Sequence, residues 1–258
     1  MIKELREIEN AYMELFCQKE SSGSMYFFVN HIVKEMYDHN FTLINELTNE
    51  ENMKEYISER LKDLKRKKKD FLKIVFHPSI KLSPEFEAWS AQAGFEVSKI
   101  NYMYMPVKAG MKRIEETDCV IKLAETVEEI EMGLGCAAKF AGQRMLTQLG
   151  IKKLNQKREL YLNKSISFYI CYVNGSPIGY CDWFQKDGIV KFEEFVILKE
   201  YQCKGYGTKM LQKMLHDTVS QGNQHIYVVT DAIGTEHNLY YKLGFDFVGE
   251  ETELFYLE

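Results

Sequence analysis

The stretch Gln202-Cys203-Lys204-Gly205-Tyr206-Gly207-Thr208 decides the fold, because of what flanks it. Before it runs Phe192 to Leu198 (FEEFVIL), rich in β-branched and aromatic residues, which reads as a strand. After it Met210, Leu211, Met214 and Leu215 recur at helical spacing, with Lys209, Gln212 and Lys213 on the other face. A strand, a glycine-bearing turn and a helix in that order aim backbone N–H groups and a helix dipole at one point. That is an anion site, suited to a phosphate or pyrophosphate. Gly205 lets the backbone approach the anion with no Cβ between them, and Gly207 allows tight entry into the first helical turn. The spacing fails the dinucleotide fingerprint, since position 210 is Met210, and it lacks the Gly-Lys-Ser/Thr of a P-loop. An ordinary strand-to-helix turn uses the same residues, so the loop alone leaves both readings open.

Gln-x-x-Gly-x-Gly after a strand ending in VIL resembles the acyl-CoA pyrophosphate loop of the GNAT N-acetyltransferase superfamily. The residues downstream agree. Ile226 to Thr230 reads as a strand, Asp231 to Thr235 as a loop and His237 to Leu243 as a short helix, with Gly244-Phe245 and two more apolar strands to Leu257. Leu239-Tyr240-Tyr241-Lys242-Leu243-Gly244-Phe245 is similar to the family's Tyr-x-Lys-x-Gly-Phe block. The fold implied is α+β: a central, mostly antiparallel sheet, splayed at the cofactor strand.

The resemblance implies acetyl-CoA as co-substrate, its pyrophosphate on the backbone of Cys203, Lys204, Gly205, Tyr206, Gly207 and Thr208, with Gln202 opening the motif. The pantetheine arm would run beside Val196, Ile197 and Leu198 in the manner of an added strand. The acceptor would be a primary amine of a small molecule or peptide, attacking the thioester directly. Tyr240 stands where the family often places a general acid for the departing thiolate. The base is open between Glu193 and Glu194, since successive strand residues face opposite sides and one of the two should meet the acceptor; Asp182 and His237 stand in reserve. One departure is that the Asn many relatives carry eleven residues before the Gly of Gly-Phe is here Ile233.

Composition bounds the alternatives. The 258 residues suffice for one large or two modest domains, and 45% hydrophobic with 28% charged residues describe a globular chain. A net charge of −5 argues against broad nucleic-acid binding. The basic run Lys62 to Lys69 sits at the end of a helix expected over Glu50 to Lys69, where cations complement the dipole. Six cysteines form no Cys-x-x-Cys pair, and six histidines lack paired metal spacing, so no metal is expected. No apolar stretch is long enough for a bilayer, and reduced thiols with no signal peptide point to the cytoplasm. Neither nucleic acid nor membrane is expected as a partner; a homodimer stays open.

Further helices are expected over Met1 to Glu20, Asn30 to Asp38, Pro84 to Ala93, from the capping box Thr126-Val127-Glu128-Glu129, and over Ala141 to Lys164. Strands are expected over Phe71 to Phe76, Ser98 to Met105, Cys119 to Leu123, Ile166 to Val173 and Ile178 to Gln185. Asn174-Gly175 and Asp187-Gly188 signal hairpins. A boundary near residue 110 gives domains 1–110 and 111–258.

The first half faintly echoes the second. Trp89 to Phe95 (WSAQAGF) aligns with Leu239 to Phe245 at an offset of 150 residues. The turn before Glu50, Leu47 to Asn52, has no glycine and carries acids that would repel a pyrophosphate. This half reads as a smaller, degenerate GNAT-like domain without a cofactor site, or as an unrelated α+β domain. Three functions remain: an N-acetyltransferase, a non-catalytic acetyl-CoA-binding module, and a scaffold whose first half binds a partner.

Overall fold

The structure is a computed structural model that describes residues 1–107, 118–142, 147–232 and 236–258. By its contacts the chain divides into two compact units. One comprises Met1–Met103, Val229–Asn238 and Phe247–Glu258; the other comprises Tyr104–Val228 and Leu239–Asp246. The boundary expected at residue 110 lies outside the described residues.

In the first unit the strand order is β1 (Gln18–Ser22), β2 (Met25–Val29), β3 (Phe41–Ile44), β4 (Phe71–Phe76), β11 (Asp246–Leu257), β5 (Glu96–Pro106). Helix α2 (Glu50–Lys67) crosses between the parallel strands β3 and β4. Its start is fixed by Asn49, whose side chain accepts from the amides of Glu51 and Asn52, and its end by Lys68 at φ 50°. Helix α3 (Pro84–Gln92) is capped by Ser83, whose hydroxyl accepts from Phe86 N. The amphipathic faces close on a core of Ile44, Ile57, Ile74, Phe76, Phe86, Phe95 and Leu254. Helix α1 (Ile2–Met13) is tied in by Arg6, which donates to Glu251 Oε2 at 2.9 Å.

In the second unit the order is β10 (His225–Asp231), β9 (Ile189–Ile197), β8 (Ser176–Lys186), β7 (Ser167–Val173), β6 (Val120–Leu123). The ladders β6–β7, β7–β8 and β8–β9 are antiparallel, while β9–β10 is parallel. Helix α6 (Tyr206–Ser220) makes that parallel crossover. Helices α4 (Val127–Ala141) and α5 (Gln148–Leu162) lie between β6 and β7 in sequence. The Thr126 capping box is complete, with Glu129 N donating to Thr126 Oγ1 at 3.2 Å and Thr126 N to Glu129 Oε2 at 3.2 Å. Both hairpin turns take left-handed backbone at Asn174-Gly175 (φ 50° and 76°) and Asp187-Gly188 (φ 51° and 77°). Helices and strands together make a mixed α+β fold.

Four expectations fail for identifiable reasons. The first helix ends at Met13, and Gln18–Ser22 instead pairs with Met25–Val29 across Gly23 at φ 57°. Partner strand and turn override local propensity there. Asn30 to Asp38 is not a helix, because asparagine side chains take the backbone groups a helix would use. Asn30 Oδ1 accepts from the amides of Ile32 and Val33, and Asn40 Nδ2 donates to the carbonyls of Val33 and Met36. The residues after Gly244-Phe245 form one 12-residue strand, β11, rather than two. Within Ala141 to Lys164, α4 closes at Ala141 and α5 runs only from Gln148 to Leu162.

The two halves repeat an ending. Gly94 N donates to Ala91 O at 3.1 Å and Phe95 N to Ser90 O at 3.1 Å; Gly244 N donates to Tyr241 O at 3.0 Å and Phe245 N to Tyr240 O at 3.0 Å. The glycines sit at φ 95° and 93°, which explains the shared Gly-Phe. α2 and α6 likewise occupy matching strand–helix–strand crossovers, but their N-termini differ. The amides at the start of α2 donate to Asn49 Oδ1 within an acidic first turn, whereas α6 starts at Gly205 with no side-chain cap and no acid in its first turn.

Candidate functional site

The site is organised by a break in β9. Asp182 pairs with Glu193, and Tyr180 with Val196, so Cys181 stands opposite both Glu194 and Phe195. The extra residue is a β-bulge, and Glu194 adopts φ 50° to accommodate it. The expected alternation of Glu193 and Glu194 therefore fails. Glu193, across the strand from Asp182, pairs with Lys191 at 2.8 Å, whereas Glu194 shares Lys157 with Asp182. Both carboxylates lie on the Asp182 side of the sheet.

The parallel ladder to β10 runs from Ile189–His225 to Phe192–Val228. β9 continues past the bulge to Ile197, so its segment from Val196 offers backbone groups on the side where that ladder has ended. Gln202, expected at the anion loop, instead turns back, its Nε2 donating to Ile197 O at 2.8 Å. It braces the end of β9 against the loop.

The loop itself has the geometry an anion needs. Cys203 takes φ 59° and Gly205 φ 85°, so the chain enters α6 through two left-handed residues. A Cβ on Gly205 would meet nothing within 4 Å, so glycine is required there by conformation rather than by space. Gly207 faces the sheet, where a Cβ would come within 3.5 Å of Phe195 and 3.6 Å of Ile197. The first amides of α6, at Tyr206, Gly207 and Thr208, have no acceptor inside the helix. Lys204 Nζ donates to Glu200 O at 2.8 Å, and Lys209 pairs with Asp118, so both cations are at hand but engaged. Amides and dipole converge at this helix start, and no carboxylate of the first turn opposes an anion there.

On the other face of β9 lies a cavity of about 270 Å³ between α4, α5, Tyr180, Glu194 and Val196. Leu134, Ala137 and Phe140 of α4 and Leu154 of α5 make it largely apolar. Its polar end is a chain of ion pairs. Lys153 Nζ lies 2.9 Å from Glu194 Oε1, Lys157 Nζ 2.6 Å from Glu194 Oε2 and 2.6 Å from Asp182 Oδ2. Tyr161 donates to Asp182 Oδ1 at 2.6 Å. Burial pushes the Glu194 carboxyl up, but the Lys157 and Lys153 ammoniums more than reverse this and hold it at about 2. Burial raises the Asp182 carboxyl despite Lys157, and Lys157 is held protonated by its two carboxylates against the pull of desolvation.

Tyr240 is buried on α7 (Glu236–Lys242), its ring edge-on to Phe245 at 5.5 Å. The side chain of His237 and residue Ile233 lie outside the described residues. The sequence reading missed Lys153, Lys157 and Tyr161. Its available signal was a lysine at 157 inside the stripe Gly150, Leu154, Lys157, Tyr161, where an apolar residue belongs. Among the described residues no group of His, Cys, Asp or Glu is arranged to hold a metal ion, and no helix is long and apolar enough to cross a membrane.

Residues 164–246 match the acetyltransferase (GNAT) domain family. The chain is 31% identical over 99 residues to CgeE of Bacillus subtilis, named as an uncharacterized N-acetyltransferase; this spans 36% of the chain and 38% of that relative. A functionally unknown protein from Staphylococcus epidermidis superposes with a TM-score of 0.76 at 17% identity, covering 97% of both chains. A GCN5-related N-acetyltransferase from Kribbella flavida superposes with a TM-score of 0.68 at 10% identity, covering 97% of this chain and 93% of that one.

Proposed function

Because this chain belongs to the GNAT superfamily, matched over residues 164–246, we propose that it is an acetyl-CoA-dependent N-acetyltransferase acting on a primary amine. The observation that carries the reading is the uncapped start of α6 at Gly205, placed at the end of a strand whose parallel ladder has stopped at Phe192. The amides of Tyr206 to Thr208 hold the pyrophosphate, and the open segment from Val196 takes the pantetheine as an added strand. When bound, acetyl-CoA supplies an activated acyl carbon.

The chain's residues then set the geometry. The cavity on the α4/α5 face admits the acceptor, and the bulge brings Glu194 to its wall. A carboxyl held at about 2 stays ionised and is a weak proton acceptor. Its part is to accept a hydrogen bond from the amine and orient the lone pair, while the amine's proton passes to water. The N–C bond forms and the C–S bond breaks. Tyr240 gives its phenolic proton to the departing sulfur and recovers one from solvent. Glu193, engaged by Lys191 and absent from the cavity wall, takes no direct part.

Calorimetry with acetyl-CoA tests binding, and release of free CoA over a panel of amines tests turnover. No heat with acetyl-CoA overturns the reading. Heat without CoA release from any amine leaves a binding module instead.

A further inference from the structure

The cavity's charge pattern bears on which amine it accepts. Three ionic side chains form its polar wall: Lys153 and Lys157 as cations and Glu194 as anion. Asp182, behind Lys157, brings the four-residue network to neutrality. A simple cationic amine, or a polyamine, would enter beside two ammoniums and leave an unpaired positive charge in a partly desolvated place. An acceptor that brings a carboxylate with its amine adds no net charge. It can also exchange one ion pair for two, its amine taking the position of Lys153 on Glu194 and its carboxylate capturing the released Lys153. Of the two lysines Lys153 is the one able to do this: its side chain is 32% exposed and, among the described residues, its ion pair is to Glu194, whereas Lys157 is 5% exposed and fixed between two carboxylates.

The other walls call for an apolar body. Phe140 lines the cavity yet remains 54% exposed, so part of that wall faces solvent until an apolar group covers it. At about 270 Å³ the space suits a small molecule rather than a bulky one. We propose that the acceptor is a small zwitterionic amine with an apolar side chain, an amino acid such as leucine or phenylalanine, with Lys153 as the residue that selects its carboxylate. This rests on the acetyltransferase reading above.

The test uses the full chain loaded with CoA or acetyl-CoA. Phenylalanine, leucine, phenethylamine and spermidine are compared by calorimetry and by CoA release. Phenylalanine is expected to exceed phenethylamine, which differs by the carboxylate alone, by about tenfold in kcat/KM. Lys153→Gln is expected to bring that ratio to near one, with acetyl-CoA binding serving as the check that the variant is folded. Phenethylamine or spermidine equal to phenylalanine overturns the proposal, as does a preference that survives Lys153→Gln. So does failure of any amino acid to bind a protein that still binds acetyl-CoA. Failure to bind acetyl-CoA overturns the acetyltransferase reading itself, and this inference with it.

Discussion

Lys157 on α5 and Asp182 on β8 form an ion pair at 2.6 Å with side chains only 5% and 0% exposed. A pair so buried costs desolvation of both ions, and its attraction offsets that only with further hydrogen bonds. Both partners have them: Tyr161 donates to Asp182, and Glu194 accepts from Lys157. The pair therefore joins α5 to the sheet at the bulge and holds Glu194 at the cavity wall.

Lys157→Met should destabilise the protein by about 3–5 kcal/mol, because Asp182 then stays buried without its counter-ion. Lys157→Met combined with Asp182→Leu should recover much of that loss, since the uncompensated charge is gone. Urea denaturation of the two singles and the double gives the coupling. A double variant no more stable than the worse single would show that the pair is not the tie between α5 and β8.

Two glycines flank β9 for opposite reasons, and alanine separates them. At Gly205 there is room for a Cβ but φ is 85°. Gly205→Ala should cost about 1 kcal/mol of stability and weaken acetyl-CoA binding at least about tenfold as the loop leaves its left-handed geometry. At Gly179 a Cβ would sit 2.6 Å from the Val196 carbonyl oxygen and 2.5 Å from Ile197 Cδ1. Gly179→Ala should therefore cost about 1–3 kcal/mol by pushing β9 away. Denaturation midpoints and calorimetric Kd values check both, and a Gly205→Ala variant that binds acetyl-CoA as tightly as wild type would refute the need for left-handed backbone there.

The capping box should appear in the acid limb of stability. Glu129 is held at about 2, first by its hydrogen bond from Lys122 and then by the amides of Glu125 and Thr126, against an ordinary 4.5. A folded value below the unfolded one means stabilisation that is complete above about pH 4.5 and lost as pH falls toward about 2. Glu129→Gln should flatten the stability–pH curve in that window, and Thr126→Ala should cost about 1 kcal/mol at neutral pH. Glu194, also held at about 2, contributes in the same window, so some slope should persist in Glu129→Gln. An unchanged slope would place the acid sensitivity elsewhere.

Much of the architecture is legible locally. The hairpins follow from Asn174-Gly175 and Asp187-Gly188, the start of α4 from Thr126 and Glu129, and the α3 and α7 endings from Gly-Phe, because each is set by a residue's own backbone or side chain. The site was only half legible. Gly205 marks the left-handed entry to α6, but the bulge at Glu194 arises from a register shift against β8 that no local pattern in β9 encodes. Alternation therefore misplaced Glu193 and Glu194. Likewise the lysine at 157 in the apolar stripe of α5 has no evident partner in the sequence until Asp182, 25 residues on, is brought against it. At Asn30 and Asn40 a side chain closes a loop across 10 residues, and helical periodicity misleads.

Tyr240 offers the sharpest separation of chemistry from structure. Its backbone carbonyl closes the α7 ending by accepting from Phe245 N at 3.0 Å, and its ring packs edge-on against Phe245. Phenylalanine keeps both features and removes the hydroxyl. If that proton goes to the departing thiolate, Tyr240→Phe should lower kcat by about 100-fold while acetyl-CoA affinity and melting temperature stay close to wild type. A kcat within about twofold of wild type would assign Tyr240 to packing alone and leave thiolate protonation to water. A fall in acetyl-CoA affinity with kcat unchanged would instead mean that the hydroxyl serves binding, since an interaction made equally in ground and transition states moves KM and not kcat.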